Sequence, residues 1–244
     1  MDGRQAGDER FSVVWNRPER AGRGRPPGHD RGEITAAAIA LADAEGIDAV
    51  STRRVAAALG TGTASLYRYL DRKEDLFDLM ADAVDGEDGP PPPPTGDWRA
   101  DLRASAHRAR RAMHRHPWMA ALAIGRPSMG PNSLAVAEQA LAAIEPLGLD
   151  PDGALTAIET VAAFVRGYVI RELAEREAIR RSGISAQQWM DAYGPYVQRV
   201  IREGRHPRVA KIILDAGLPH AADRAERGFD AGLDHVLNGI GSRP

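Results

Sequence analysis

The sequence predicts an all-α protein in two parts, a small three-helix unit followed by a larger helical domain. Three observations carry this. Apolar residues recur at three- and four-residue spacing from residue 34 onward. A tight glycine turn splits residues 51–73 into two short helices. Five prolines at 90–94 then separate a short set of helices from a longer one. Prolines in series hold a chain extended at roughly 3.1 Å per residue, so this run is a stiff spacer of about 15 Å.

Composition narrows the function classes. The chain has 244 residues, 43% apolar and 27% charged, which suits a soluble globular protein with room for more than one core. It has no cysteine, which excludes disulfides, thiolate zinc sites and cysteine nucleophiles. That usage fits a reducing compartment, and a cytoplasmic location is expected. No apolar run approaches the roughly 18 residues that span a bilayer. The opening MDGRQAGDERFSVVW lacks the apolar core and cleavage site of a signal peptide. No membrane partner is therefore expected. The net charge is −2, so any basic footprint for nucleic acid must be local. There is no nucleophile elbow, phosphate loop, paired-carboxylate motif or metal-ligand cluster. Neither enzyme activity nor a metal or cofactor is expected.

The elements follow in order. Residues 1–30 are rich in Gly, Pro and Arg, carry no helical or strand period, and read as a disordered basic arm. Six arginines lie between Arg10 and Arg31 against Glu19 and Asp30. Within the arm, Arg23-Gly24-Arg25-Pro26 resembles the core of an AT-hook, which lays arginines in a narrow A·T-rich minor groove. A solvated tail is the plain alternative. Next, Ile34, Ala37, Ala38, Leu41 and Ala44 form the stripe of a first helix, closed by Gly46. Ser51 is a good N-cap for a second helix at 52–59 that buries Val55, Ala56 and Leu59. After Gly60 a third helix starts near Thr63 and turns Leu66 and Leu70 inward. That leaves Thr63, Ala64, Ser65, Tyr67, Arg68 and Tyr69 outward. Two tyrosines and an arginine on the outside of a two-turn helix add little stability, but they suit a groove of phosphates and base edges.

Here a resemblance becomes specific. The block at 34–84, with a leading helix ending AEG and then STRRVAAALG, ASLYRYL and KEDLFDLM, resembles the DNA-binding domain of the tetracycline-repressor (TetR) family. The resemblance implies a helix-turn-helix whose third helix enters the major groove of double-stranded DNA. By position it implies base contacts from Thr63, Ala64, Ser65 and Arg68. It implies phosphate contacts from Thr52, Tyr67, Tyr69 and Lys73, with Arg53 suited to either. Thr61-Gly62 departs from the Val-Ser common at this turn. The departure removes a serine cap, and Thr63 is the candidate to replace it.

Residues 73–85 read as a fourth helix with Leu76, Phe77, Met80 and Val84 on one face. The DNA-binding domain thus covers 31–88, the proline-rich linker 89–96, and the larger domain 97–240. That domain opens with a helix at 98–115 with Leu102, Ala106, Ala109 and Met113 inward. Its other face is basic, with Arg99, Arg103, Arg108, Arg110, Arg111 and Arg115, and reads as a solvated face. A short helix follows Pro117, another runs 133–147, and a long one runs from Pro151 to about Arg180 with Leu155, Ile158, Ala162, Val165, Val169 and Leu173 in one stripe. Helices at 186–202, 207–214 and 221–237 complete the chain. Gly228 and Gly232, four apart on the last, suit close approach by another backbone.

The order HPWMAALAIGRPSMGPNSL after the proline linker resembles the ligand-binding domain of one branch of the same family. This implies a homodimer formed through the long and last helices, although their wide apolar faces fit an internal core equally well. It also implies a small-molecule effector that tilts the fourth helix and releases a palindromic operator. Candidate lining residues for an apolar or aromatic effector are Met113, Trp118, Met129, Phe164, Tyr168, Trp189, Met190 and Tyr193. Each alone fits core packing as well. Arg126, Arg166 and Arg171 suit an acidic or carbonyl group on such a ligand, or simple solvation. The expected function is a ligand-released repressor. The alternative is a DNA-binding regulator or activator controlled without ligand or by a protein partner.

Overall fold

A computed structural model describes residues 13–16, 28–122, 128–217, 221 and 223–242. These residues form eleven α-helices and three short 3-10 turns, with no strand among them. The chain divides into two compact units, 1–154 and 155–244.

In the first unit, α1 (Arg31–Glu45) starts on a reciprocal cap. The Asp30 carboxylate accepts from Glu33 N at 2.9 Å, and the Glu33 carboxylate accepts from Asp30 N at 3.0 Å. Its buried face is Ile34, Thr35, Ala38 and Ala42. The expected stripe is thus off by part of a turn at its end, and Ala44 is exposed. Gly46, at φ 87°, closes the helix where a side chain would be strained. Then come α2 (Thr52–Ala58), α3 (Thr63–Leu66) and α4 (Lys73–Gly86). Beyond the proline segment lie α5 (Trp98–Arg115), α6 (Trp118–Leu122) and α7 (Pro131–Ile144).

Helix α4 is central, touching α1, α5, α6 and α7. Ile34, Val55, Leu66, Leu70, Leu76, Met80, Leu102 and Ile144 form the core of this unit, none above 2% exposed. Each such side chain stabilises the fold by roughly 1.5–3 kcal/mol relative to exposure. An arm wholly without structure is not what is found. Val14–Asn16 form a 3-10 turn with Val14 buried.

The second unit holds most of α8 (Pro151–Ser182), then α9 (Ala186–Arg202), α10 (Pro207–Asp215) and α11 (Arg224–Gly241). Ala157, Val161, Val165 and Val169 on α8 and Phe229, Leu233 and Leu237 on α11 are buried. The α8 stripe is rotated from the expected one, and Leu155 and Ile170 are exposed. By length and composition α8 is apolar enough to cross a membrane, which corrects the expectation that no stretch reaches that measure. Glu159 and Arg166 interrupt its apolar segment, which is why no unbroken run is visible in the sequence.

The paired glycines of α11 serve rings rather than a second backbone. A Cβ on Gly228 would lie 2.4 Å from the Tyr168 hydroxyl, and one on Gly232 would lie 2.7 Å from the Phe164 ring. Both rings belong to α8.

Candidate nucleic-acid interface

The α2–turn–α3 segment is built as its sequence asks. Ser51 caps α2 by accepting from Arg54 N at 3.3 Å. Gly60, at φ 64°, reverses the chain. Gly62 stands at the N-cap of α3 without a side-chain bond, and Thr63 does not take that role. Instead the Ser65 hydroxyl donates to Gly62 O at 2.6 Å and lies 3.0 Å from the Thr61 hydroxyl. The turn that lacks the serine cap is thus tied by Thr61 and Ser65.

The α-helical ladder stops at Leu66, where Tyr69 N and Leu70 N share the Leu66 carbonyl at 2.9 and 3.1 Å. Over buried Leu66 and Leu70 the segment presents Ala64, Tyr67 and Arg68 to solvent, with Thr63 and Ser65 half-buried. Arg53 is exposed and Thr52 half-buried at the start of α2. Lys73 opens α4 with its ammonium 4.9 Å above the Phe77 ring.

Tyr69 corrects the sequence reading. The tightened turn rotates it inward, leaving it 2% exposed, and its hydroxyl donates to His29 O at 3.2 Å. It braces the entry to α1 and offers no surface to a phosphate. Arg23 and Arg25 lie outside the described residues, as does Arg126.

Buried carboxylates that sequence reasoning passed over hold α4 at both ends. At its start Asp75, fully buried, accepts from Asp71 N at 2.7 Å and from Arg72 Nε at 3.2 Å. This fixes the turn from the reading segment into α4. At its far end Asp82, 4% exposed, caps the neighbouring helix α7. Its Oδ1 accepts from Asn132 N at 2.8 Å and Ser133 N at 2.9 Å, and its Oδ2 from Asn132 Nδ2 at 3.0 Å. One turn on, Asp85 accepts from the Ser133 hydroxyl at 2.6 Å. Close approach requires glycine at two places. A Cβ on Gly130 would lie 2.3 Å from the Asp82 carboxylate, and one on Gly86 would lie 2.6 Å from the Asn132 amide.

The arginine face of α5 is not simply solvated. Arg108 donates to the carbonyls of Asp85 and Gly89, holding the end of α4 and the start of the proline segment. Arg115 pairs with Glu87 at 3.3 Å and Asp88 at 3.0 Å, and Arg110 is 8% exposed. Beside them His116 bridges Asp43 of α1 at 2.8 Å and Glu87 at 3.0 Å.

Burial pushes the Asp85 carboxyl above its ordinary value, against the Ser133 hydrogen bond that lowers it; Asp82 adds to the rise and Arg108 opposes it. A carboxyl raised on folding is held protonated more tightly in the native state. Its favourable contribution is therefore complete below the unfolded value of about 3.9 and is lost as pH rises through the native value. Asp85→Asn keeps an acceptor for Ser133 and removes the half-buried charge. We expect it to raise the melting temperature at pH 7.5, with a gain that shrinks toward pH 4. Thermal unfolding of both proteins across that range checks this, and a gain that grows on acidification is the contrary result.

The candidate effector-lining residues fall on both units. In the first unit Met113 is buried, Met129 is 61% exposed, and Trp118 is buried with its indole N–H on Asp43 at 2.7 Å. In the second unit Phe164 and Tyr168 meet Phe229 with ring centroids 5.5 and 5.3 Å away. The Tyr168 hydroxyl there donates to Ala225 O at 3.1 Å. Separately, Trp189 and Tyr193 stack at 4.2 Å on α9, with both rings about half exposed and Met190 half-buried.

Comparison with known proteins bears on what this arrangement does. Residues 34–80 match the model for bacterial regulatory proteins of the tetR family, and residues 90–243 match that for the tetracyclin repressor-like C-terminal domain. The HTH-type transcriptional repressor DrrR1 of Streptomyces coeruleorubidus is 36% identical over 231 residues, 94% of this chain and 84% of that protein. An HTH-type transcriptional regulator of Saccharopolyspora erythraea is 38% identical over 176 residues, 71% of this chain and 74% of its own. Among solved structures, apo ActR of Streptomyces coelicolor is similar at a TM-score of 0.71 and 26% identity, covering 90% of this chain and 97% of its own. ActR in complex with actinorhodin gives 0.68 and 25%, covering 86% and 93%. With both family models matched along one chain and a repressor related over nearly its whole length, this protein belongs to the TetR family of bacterial transcriptional regulators, which are DNA-binding proteins and not enzymes.

Proposed function

We propose that the chain is a cytoplasmic, homodimeric repressor that leaves a palindromic operator when a small apolar or aromatic molecule binds its C-terminal domain. The observation that carries this is the solvent-facing Ala64, Tyr67 and Arg68 on a buried Leu66–Leu70 base, in a chain 36% identical to a named repressor. Ala64 and Arg68, with half-buried Thr63 and Ser65, address base edges. Thr52, Arg53, Tyr67 and Lys73 address the backbone. The arginines at 23 and 25 remain candidates for the minor groove. Exposed Leu155 and Ile170 on α8 supply an apolar face for a second copy. Two copies must set their reading helices about 34–36 Å apart to engage both half-sites, so a modest tilt of α4 suffices for release.

The effector reading is supported by ActR, whose structures include complexes with actinorhodin and (S)-DNPA. Here the Phe164–Tyr168 pair and the Trp189–Tyr193 stack offer aromatic faces for such a molecule. By linkage, DNA must weaken effector binding by the same factor that the effector weakens DNA binding.

The test is a gel shift with DNA flanking the protein's own gene, using wild type and Arg68→Ala. Retardation by wild type is expected. Arg68→Ala should lose ~1–3 kcal/mol of affinity and relax one operator position. A uniform loss across sequences would make Arg68 a phosphate contact, and no retardation of any flanking fragment would count against the repressor reading.

A further inference from the structure

The short N-terminal turn at Val14–Asn16 sits where two sets of helices meet. Val14 is 1% exposed, which is unusual for a residue fifteen or more positions upstream of the first helix. Its carbonyl accepts from Arg31 Nη2 at 3.1 Å, so the first residue of α1 reaches back 17 positions to hold it. The turn is closed by Asn16 N donating to Val13 O at 3.1 Å. Beside it, the Trp15 ring lies against Gly130, and a Cβ there would be 2.6 Å from the indole edge. Trp15 also lines a cavity of about 450 Å³ whose other walls come from α1 (Thr35, Ile39), α4 (Leu79, Asp82) and α7 (Asn132). The indole therefore faces the residues through which Asp82 caps α7.

We propose that the groove between α1, α4 and α7 is a docking surface for the chain's own residues 13–16, and that the docked segment braces the α4–α7 joint. Three features favour this occupant. The segment sets the buried Val14 beside Trp15, and the groove that Trp15 lines offers Ile39 and Leu79 as apolar walls next to Asp82 and Asn132. A backbone anchor for it comes from α1, which ties the reading unit to the segment. And the Trp15 ring and the Asp82 carboxylate both close on the Cβ position of Gly130, the residue preceding α7. A shift of α4 along α7 has to move Asp82 past Gly130, and Trp15 lies against that same glycine. The N-terminus thus stiffens the step by which movement of α7 reaches α4. Its regulatory meaning rests on the repressor reading above; the docking and the bracing do not.

The full-length protein, labelled with 5-fluorotryptophan, tests it. Four tryptophans give four fluorine signals, and Trp15→Phe assigns one of them. In wild type the Trp15 signal should lie away from the free-indole position, and Val14→Asp should move it there while leaving the other three in place. Amide exchange is measured on the same proteins. Val14→Asp should speed exchange at Asn132 and Ser133 by about tenfold, with the amides of α2 unchanged. Trp15→Ala, which retains Val14, should give a smaller increase at the same two amides, and Trp15→Phe should largely restore protection. This variant keeps the test alive should Val14→Asp not fold. A wild-type Trp15 signal at the free-indole position would overturn the docking. Undocking with no change at Asn132 and Ser133 would overturn the brace. A gel shift of flanking DNA is run in parallel: absence of retardation by wild type removes the repressor reading and leaves both spectroscopic results standing.

Discussion

Asp82→Ala should destabilise the first unit by about 3 kcal/mol and free α7 from α4. Helix α7 follows Gly130, which has no side chain to cap it, and Pro131 supplies none of the missing acceptors. The cap comes from fifty residues away, as Asp82 Oδ1 takes the amides of Asn132 and Ser133. Losing an N-cap costs about 0.5–2 kcal/mol. Charge-assisted bonds of a buried carboxylate, here also aligned with the positive end of a helix dipole, add more. Water entering the vacated space recovers part of this, which sets the expectation near 3 kcal/mol rather than higher. Exchange at Asn132 and Ser133 should then quicken by about a hundredfold if it follows the lost free energy. Asp82→Asn, which keeps one acceptor oxygen and loses the charge, should fall between. If Asp82→Ala unfolds at the same urea concentration as wild type, the joint is held by something other than this carboxylate.

How much of this was legible beforehand depends on the range of the signal. The bounds of α5 and α9 follow from local information, from a polar N-cap, an apolar period and a terminating residue. The reading segment was legible for the same reason, since Ser51, Gly60, Leu66 and Leu70 act within a few residues of one another. Tyr69 was misread because its orientation depends on whether the α3 ladder extends one residue or three past Leu66. Spacing cannot decide that; the burial of its ring against the start of α1 does. Asp75, Asp82 and Asp85 appear in sequence as the polar face of an amphipathic helix. Asp75 is buried over its own turn by Asp71 and Arg72, whereas Asp82 is buried and Asp85 half-buried against α7, which is information carried by residues about 50 positions away. The arginines of α5 have the same history: a basic stripe reads as solvated until the end of α4 is placed against it. The exposed rings of Trp189 and Tyr193 show the converse. A period of four marks them as sharing a face, and what that face meets is not encoded in the period.

Asp43→Ala should cost about 2–3 kcal/mol, although Asp43 itself is partly exposed and looks replaceable. The reason lies in its partners. One oxygen, Oδ1, accepts from both His116 Nδ1 at 2.8 Å and Trp118 Nε1 at 2.7 Å. Those donors are on residues only 8% and 4% exposed, and their rings lie 5.6 Å apart at a 55° tilt, so both point at a single acceptor. Removing it strands two buried donors, at roughly 1–3 kcal/mol each where water cannot reach them. The access that water has to Asp43 from the solvent side moderates the total. His116 retains Glu87 on its other nitrogen at 3.0 Å, so the indole bears most of the loss. Asp43→Asn preserves an oxygen acceptor and should cost under about 1 kcal/mol. This separates a lost acceptor from a lost charge. A double-mutant cycle sharpens it further. Trp118→Phe removes the indole donor while keeping an aromatic ring in the core. Adding Asp43→Ala to it should then cost about 1 kcal/mol less than adding it to wild type. Equal costs in the two backgrounds would mean that Trp118 draws nothing from Asp43, and that α6 is tied to α1 through His116 alone.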